Sequence, residues 1–478
     1  MAELRDGGPA GPPDDAVRTD PLLADEVVRF CSDLIRIDTT NRGGGDGRER
    51  PAAEYVAGLL AEAGLDPVVL ESAPGRANVV ARISGTEPDR PALLVHGHLD
   101  VVPADPAEWR VPPTSGEVAD GVIWGRGAVD MKNTDAMVVA LMRAWARHGR
   151  RPRRDLVLAF TADEEDTAAY GADFLVSRHA DLFAGCTEAI GESGGYALHT
   201  GTLRTGGIRL YPVAAGERGT AWLRLTARGT AGHGSRANPD NAVATLAAAV
   251  VRIAEYEWPV RLIPTVRACL AGVAAALGRA GGDLTAASGD VDAAGGVLDI
   301  AGLDEAGVVA LVEALGNAGD LVAASLRNSA NPTGLRAGYK VNVIPGEAVG
   351  YVDGRVLPGH LAEFEATLDA LTGPAVDWEY THSQVPLEAP WATPTVAAMT
   401  DALRAEDPDG HVVPYCMAGG TDAKQFARLG IAGYGFAPLG LPAGYDYRAM
   451  FHGVDERVPV EALMFGVRVL DRFLSGVG

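Results

Sequence analysis

Residues 92–100 read Ala-Leu-Leu-Val-His-Gly-His-Leu-Asp, an apolar run that ends in His96, His98 and Asp100. The run is short and bounded by polar residues, which predicts a strand. Residues i and i+2 of a strand face the same side, so His98 and Asp100 can point together while Leu99 faces the opposite layer. A carboxylate beside an imidazole fixes its tautomer and strengthens it as a metal ligand. A hydrogen-bonded His/Asp pair at a strand end accounts for the same residues, and this segment alone leaves both readings open.

Working outward, Asn78–Ile83 and Leu156–Phe160 also read as strands, with a helical stretch from Met131 to His148 between them. Upstream, Val27, Val28, Cys31, Leu34 and Ile35 recur at helical spacing over Asp25–Ile37. Pro51–Leu65 repeats that pattern, with Pro at its start and Gly64 near its end. Strands alternating with helices at this spacing predict an α/β sheet. The middle of the chain differs. Thr220–Ala227 alternates like a half-buried strand, Asn241–Tyr256 is helical, and Ala271–Gly319 is Ala/Gly-rich with helical periodicity around Leu303–Leu315. Ala348–Val356 is again a strand. The pattern predicts a domain over 217–349 inserted into a discontinuous α/β domain formed by 21–216 and 350–478. Residues 1–20, rich in Gly, Pro and Asp, read as a mobile tail.

The 478 residues carry 41 Lys+Arg against 63 Asp+Glu, a formal charge of 41 − 63 = −22. Nucleic acids and anionic membranes are held mainly through surplus basic charge, so neither is expected as a partner. Cys31, Cys186, Cys269 and Cys416 form no CxxC pair, which excludes a thiolate zinc site and a disulfide scaffold and points to a reducing cytoplasm. Neither a signal-peptide apolar region nor an 18-residue apolar window is present, so a soluble protein is expected.

Four further segments carry chemistry. Gly125-Arg126-Gly127-Ala128-Val129-Asp130 delivers Asp130 to a helix start, where plain N-capping is the alternative. Asp163-Glu164-Glu165 follows a buried-looking strand, and its acids repel one another unless solvent or cations neutralise them. Glu192 ends another apolar run, and His452 opens a His-Gly-Val-Asp-Glu segment before the last amphipathic helix. Together they set His, Asp and Glu at the ends of separate α/β elements, where open sheets assemble sites. Such an inventory suits two borderline metal ions with a carboxylate bridging them.

With the motifs HGHLDVVP, GRGAVDMK, DEE, GTAGHGS, NVIPGEA, DGRVLPG, GGTDA and FHGVDE in this order, the sequence resembles the dinuclear-zinc metallopeptidase family. That family includes aminoacylase, acetylornithine deacetylase, succinyl-diaminopimelate desuccinylase, glutamate carboxypeptidase and carboxypeptidase S. The resemblance runs from about Glu26 to Phe473. It implies two divalent ions, zinc first with cobalt or manganese as alternatives. One would be held by His98 and Glu192, the other by Glu165 and His452, with Asp130 bridging. It further implies Glu164 as general base and Asp100 as the carboxylate behind His98. By the same resemblance the inserted domain is a lid that joins a homodimer and carries His233 to the neighbouring subunit's site. Asn342, Arg355, Gly420 and Thr421 correspond to substrate-binding positions, Arg355 having a planar fork suited to a substrate carboxylate, with a purely structural salt bridge as the alternative.

Two departures stand out: Asn133 where relatives carry Gly, and Asp166-Thr167-Ala168-Ala169 after the Glu pair. The expected activity is hydrolysis of an N-acyl amino acid or small peptide bearing a free carboxylate. The rivals are a dipeptidase or aminopeptidase requiring a free amine, and a catalytically silent metal-binding scaffold.

Overall fold

The computed structural model describes residues 16–200, 207–279 and 303–477. The strand Ala92–His98 is buried along its whole length because both of its faces are covered. Leu93 and Val95 enter one apolar cluster with the helices Leu23–Arg36, Arg50–Glu62, Lys132–His148 and Val460–Gly476. Leu94 enters a second cluster with the helix Ala172–Arg178 and Phe426. The first helix shows why it docks: Leu23, Val27, Phe30, Cys31 and Leu34 form one buried stripe at spacings of three and four.

Ala92–His98 runs parallel to Leu156–Thr161 on one side and Cys186–Gly191 on the other. Ala432–Gly435 continues the parallel set beside Cys186–Gly191. Antiparallel strands flank this centre, making a ten-stranded mixed sheet with helices on both faces. The α/β architecture expected from the sequence is thus the one observed, and the strands and helices read there appear within a few residues of their expected ends.

A second, four-stranded sheet has the order Ser329–Ala337, Glu347–Val356, Gly219–Arg228, Val376–Gln384. Helices Ala242–Glu255 and Leu361–Thr372 cover one of its faces. The boundary expected at 349/350 falls inside Glu347–Val356, and the unit extends to Gln384. Val376–Gln384 is half-exposed and polar, so apolar patterning did not announce it. The helices Pro264–Arg279, Glu305–Ala314 and Asp320–Ala323 also depart from expectation. They pack Val266, Leu270, Leu311 and Leu321 against Leu210, Val413 and Tyr415 of the large sheet, although they lie within 217–349.

The expected tail is shorter than 1–20. Val17 is fully buried, Arg18 pairs with Asp471 at 2.8 Å, and Asp20 lies 2.8 Å from Arg147. Residues 1–15 lie outside the described residues, as does 280–302 of the Ala/Gly-rich stretch. Among the described residues no single helix is long and apolar enough to cross a membrane.

Candidate metal centre

The three central parallel strands end on the same side of the sheet, where open α/β sheets place ligands. His98 is the last residue of its strand, Glu164 and Glu165 follow Thr161, and Glu192 follows Gly191. The loop before Lys132–His148 brings in Asp130, and the turn before the last helix brings in His452. His98 Nε2 lies 3.0 Å from Asp130 Oδ1, 3.9 Å from Glu192 and 4.0 Å from Glu164. His452 Nε2 lies 3.0 Å from Glu165 and 3.4 Å from Asp130 Oδ2. Asp130 therefore offers one oxygen to each histidine. His98, Glu164 and Glu192 form one compact donor set, and His98, Asp130 and Glu165 another.

Buried polar contacts hold these side chains in place. His98 Nδ1 lies 3.0 Å from the Asp100 backbone carbonyl, which can only accept, so Nδ1 carries the proton and Nε2 is left facing the cluster. The Asp100 carboxylate accepts from the backbone N–H groups of Glu164 and Glu165, each at 3.1 Å, and from Asn41 at 2.9 Å. Asp163 turns away from the cluster to pair with Arg76 at 2.7 Å. Asp163, Ser193 and His452 have φ of +65°, +67° and +56°. Such left-handed conformations cost about 1–3 kcal/mol each and concentrate at functional sites. Gly97 is required by close approach, since a Cβ there would lie 2.1 Å from Asp135 Oδ1 on the helix beneath.

The electrostatics call for cations. Burial first, then the neighbouring carboxylates, push Glu164 and Glu192 well above the ordinary carboxylate range, and Glu165 shifts the same way. Burial would also raise Asp130, but hydrogen bonds from His452 and His98 outweigh it and hold Asp130 low. The same contacts, to Asp130 and Glu165, lift His452 to about 10. Burial opposes charge on His98, yet Asp100, Asp130 and Glu192 together hold it well above the usual imidazole range. No Lys or Arg among the described residues pairs with Asp130, Glu164, Glu165 or Glu192, and Glu165 Oε1 is buried without a partner. Four carboxylates and two imidazoles without a fixed cation fit divalent metal. Donors bound at about 2.0–2.1 Å to one tetrahedral ion lie roughly 3.3 Å apart, close to the shorter spacings found here.

The other expected site residues are placed elsewhere. His233 is exposed and hydrogen-bonds Ser235, at 2.8 Å. It pairs with Val343 across a two-residue ladder, and Gly234 N–H donates to the Asn342 carbonyl at 2.9 Å, so His233 and Asn342 share one exposed tip. Arg355 is remote from that tip. It pairs with Thr220 and Glu347 pairs with Arg228, so the eight residue steps from Arg355 to Glu347, at about 3.3 Å each, span roughly 26 Å before the tip begins. The Arg355 fork is also closed on Asp353, two residues earlier on the same strand face, at 2.8 and 3.1 Å. Both Thr421 donors, backbone and hydroxyl, go to Glu217 at 3.0 and 2.6 Å, so this threonine braces the Gly420–Thr421 turn.

Several residues of the site had no assigned role in the sequence. Glu456 accepts from the N–H groups of Gly127, Val129 and Asp130 and pairs with Arg126. Asp422 accepts from Thr161 at 2.6 Å, while its other oxygen is buried without a partner and burial pushes the acid up to about 7. Lys424 is buried and donates to the Arg218 carbonyl at 2.7 Å. All three are charges within or beside the recognised motifs, the one signal that marks them.

Residues 94–476 match the description "Peptidase family M20/M25/M40". The N-fatty-acyl-amino acid synthase/hydrolase PM20D1 of Homo sapiens is 26% identical over 391 residues, covering 80% of this chain and 73% of that protein. Its Xenopus tropicalis counterpart is 28% identical over 44% of this chain but only 41% of its own length. The succinyl-diaminopimelate desuccinylase of Delftia acidovorans is 36% identical over 33% of this chain and 38% of its own. Among solved structures, the Saccharomyces cerevisiae dipeptidase Dug1p superposes with a TM-score of 0.64 at 17% identity, covering 97% of this chain and 98% of that one. The match covers the strands, loops and final helix that build the cluster, and the chain belongs to peptidase family M20/M25/M40 as a metal-dependent hydrolase.

Proposed function

We propose that this protein uses two zinc ions to hydrolyse the amide bond of an N-acyl amino acid or a small peptide with a free carboxylate. The observation that carries the reading is Asp130, set between His98 and His452 with one oxygen toward each. His98 and Glu192 would hold one ion and Glu165 and His452 the other, with Asp130 shared. Imidazole nitrogen and carboxylate oxygen suit zinc, and also cobalt or manganese. Two ions held here would supply an acidified water molecule and a polarised scissile carbonyl. Glu164 then takes the proton as the water attacks and returns it to the departing amine. Asp100 positions both Glu164 and Glu165 through their backbone N–H groups. The names of the sequence relatives, an N-fatty-acyl-amino acid synthase/hydrolase and a succinyl-diaminopimelate desuccinylase, support the acyl class, whereas the structural relative Dug1p is named a dipeptidase.

The exposed His233–Asn342 tip supports action in trans, with a homodimer formed through the second sheet and the tip completing the partner's site. Four buried free cysteines support a cytoplasmic setting. The test is a hydrolysis screen of zinc-loaded protein on matched N-acyl amino acids and dipeptides, with both products identified by mass spectrometry. Release of an acyl acid and an amino acid supports the reading. Cleavage only where the amine is free would convert it to a dipeptidase, and no cleavage by metal-replete protein would leave a silent scaffold.

A further inference from the structure

Beside the metal cluster lies a cavity of about 230 Å³. Ser193, next to Glu192, and Phe451, next to His452, form its inner edge, and Tyr196, Leu321, Tyr415 and Arg448 are among its other lining residues. A dry cavity of about 150 Å³ already accepts benzene, so this one has room for an aromatic or branched aliphatic group. Its aromatic wall is braced from behind. Tyr447 packs on Tyr196 at 4.9 Å and on Phe451 at 5.2 Å between ring centres, and the Tyr415 hydroxyl donates to the Ser193 carbonyl.

Arg448 stands exposed at the mouth of this cavity. Its guanidinium makes no hydrogen bond or ion pair with any described residue. The lining also includes Asp320, on the short helix Asp320–Ala323, but the two are not paired. Arg355, the arginine expected to anchor a carboxylate, is by contrast engaged twice by Asp353. A planar fork with all its donors free, at the mouth of an apolar cavity that borders the metal ligands, is complementary to a carboxylate attached to an apolar group.

We infer that this cavity binds the amino-acid half of the substrate, the apolar side chain lying among Tyr196, Leu321, Tyr415 and Phe451 and its carboxylate on Arg448. The inference rests on the amide-hydrolase reading for the orientation of the scissile bond, but binding tests it separately from turnover. Arg448 is here a specificity-determining residue that touches substrate away from the reacting atoms. The helical segment ending in Asp320–Ala323, packed on the large sheet, supplies one wall of that specificity.

The test is calorimetric titration of zinc-loaded Glu164→Gln protein, which blocks turnover, with N-acetylphenylalanine and with its carboxamide. The acid is expected to bind about 10- to 100-fold more tightly than the amide, the range a charge-assisted fork contact supplies. Adding Arg448→Gln should erase that preference, and Arg448→Lys should restore part of it. Leu321→Trp, which fills the cavity, should weaken both ligands alike. Equal binding of acid and amide, a preference that survives Arg448→Gln, its loss in Arg355→Gln instead, or no binding of either ligand would each overturn the inference. Wild-type protein that hydrolyses no amide while the Arg448-dependent preference holds would overturn the catalytic reading alone.

Discussion

Glu456 Oε1 accepts a 3.0 Å hydrogen bond from the backbone N–H of Asp130, the carboxylate that stands between the two histidines. The same oxygen takes the N–H groups of Gly127 and Val129, while Oε2 pairs with Arg126 at 2.7 Å. The C-terminal His452–Glu456 segment thus supplies both a donor to the cluster and the clamp that shapes the Asp130 loop.

Glu456→Ala should therefore lower both stability and metal content. Removing one partner of a buried ion pair costs about 3–5 kcal/mol, and here Arg126 and three backbone donors lose their acceptor together. Denaturant unfolding and elemental analysis read the two effects. A variant with unchanged unfolding midpoint and two tightly held metals would show that the clamp is dispensable.

Glu164→Gln should keep the fold and most of the metal but lose turnover by about 10²–10⁴-fold, because the amide is nearly isosteric and cannot accept a proton. Near-normal rates in metal-replete protein would remove Glu164 from the base role.

Chelation should destabilise the protein. Without divalent ions the buried Glu164, Glu165 and Glu192 sit close together with no fixed cation, so the folded state resists their ionisation. A ligand present at about 1,000 times its Kd stabilises by about 4 kcal/mol, so EDTA should lower the melting temperature by several degrees and zinc should restore it. An unchanged melting temperature after verified metal removal would contradict the cluster as a metal site.

Mixing His233→Ala with Glu164→Gln protein tests the exposed tip. Each parent should be nearly inactive, yet a mixed dimer holds one site with both residues intact. Random exchange at equal input predicts recovery of roughly a quarter of wild-type activity. Mixed dimers confirmed by mass spectrometry but inactive would show that His233 does not act across an interface.

The placement of His98, Asp130, the Glu164–Glu165 pair, Glu192 and His452 at the ends of separate α/β elements was legible in the chain because each ends or follows a short apolar run or glycine turn, whereas the choice of ligands among them came from the resemblance carried by the ordered motifs. The α/β class was legible for the same reason, since periodicity is local. Other features depend on pairings between distant segments. Asn41 and Glu456 act only because residues 59 and 326 positions away come to them. Pro264–Arg279 packs on the large sheet rather than with the strands around it in sequence, because its apolar face matches Leu210 and Val413. Whether Arg355 or Arg448 has a free fork is set by Asp353, which closes on Arg355, while no acid among the described residues closes on Arg448. Those outcomes turn on ångström distances between side chains, which residue type and periodicity do not encode, because the burial and pairing of a charge are properties of what the folded chain brings against it.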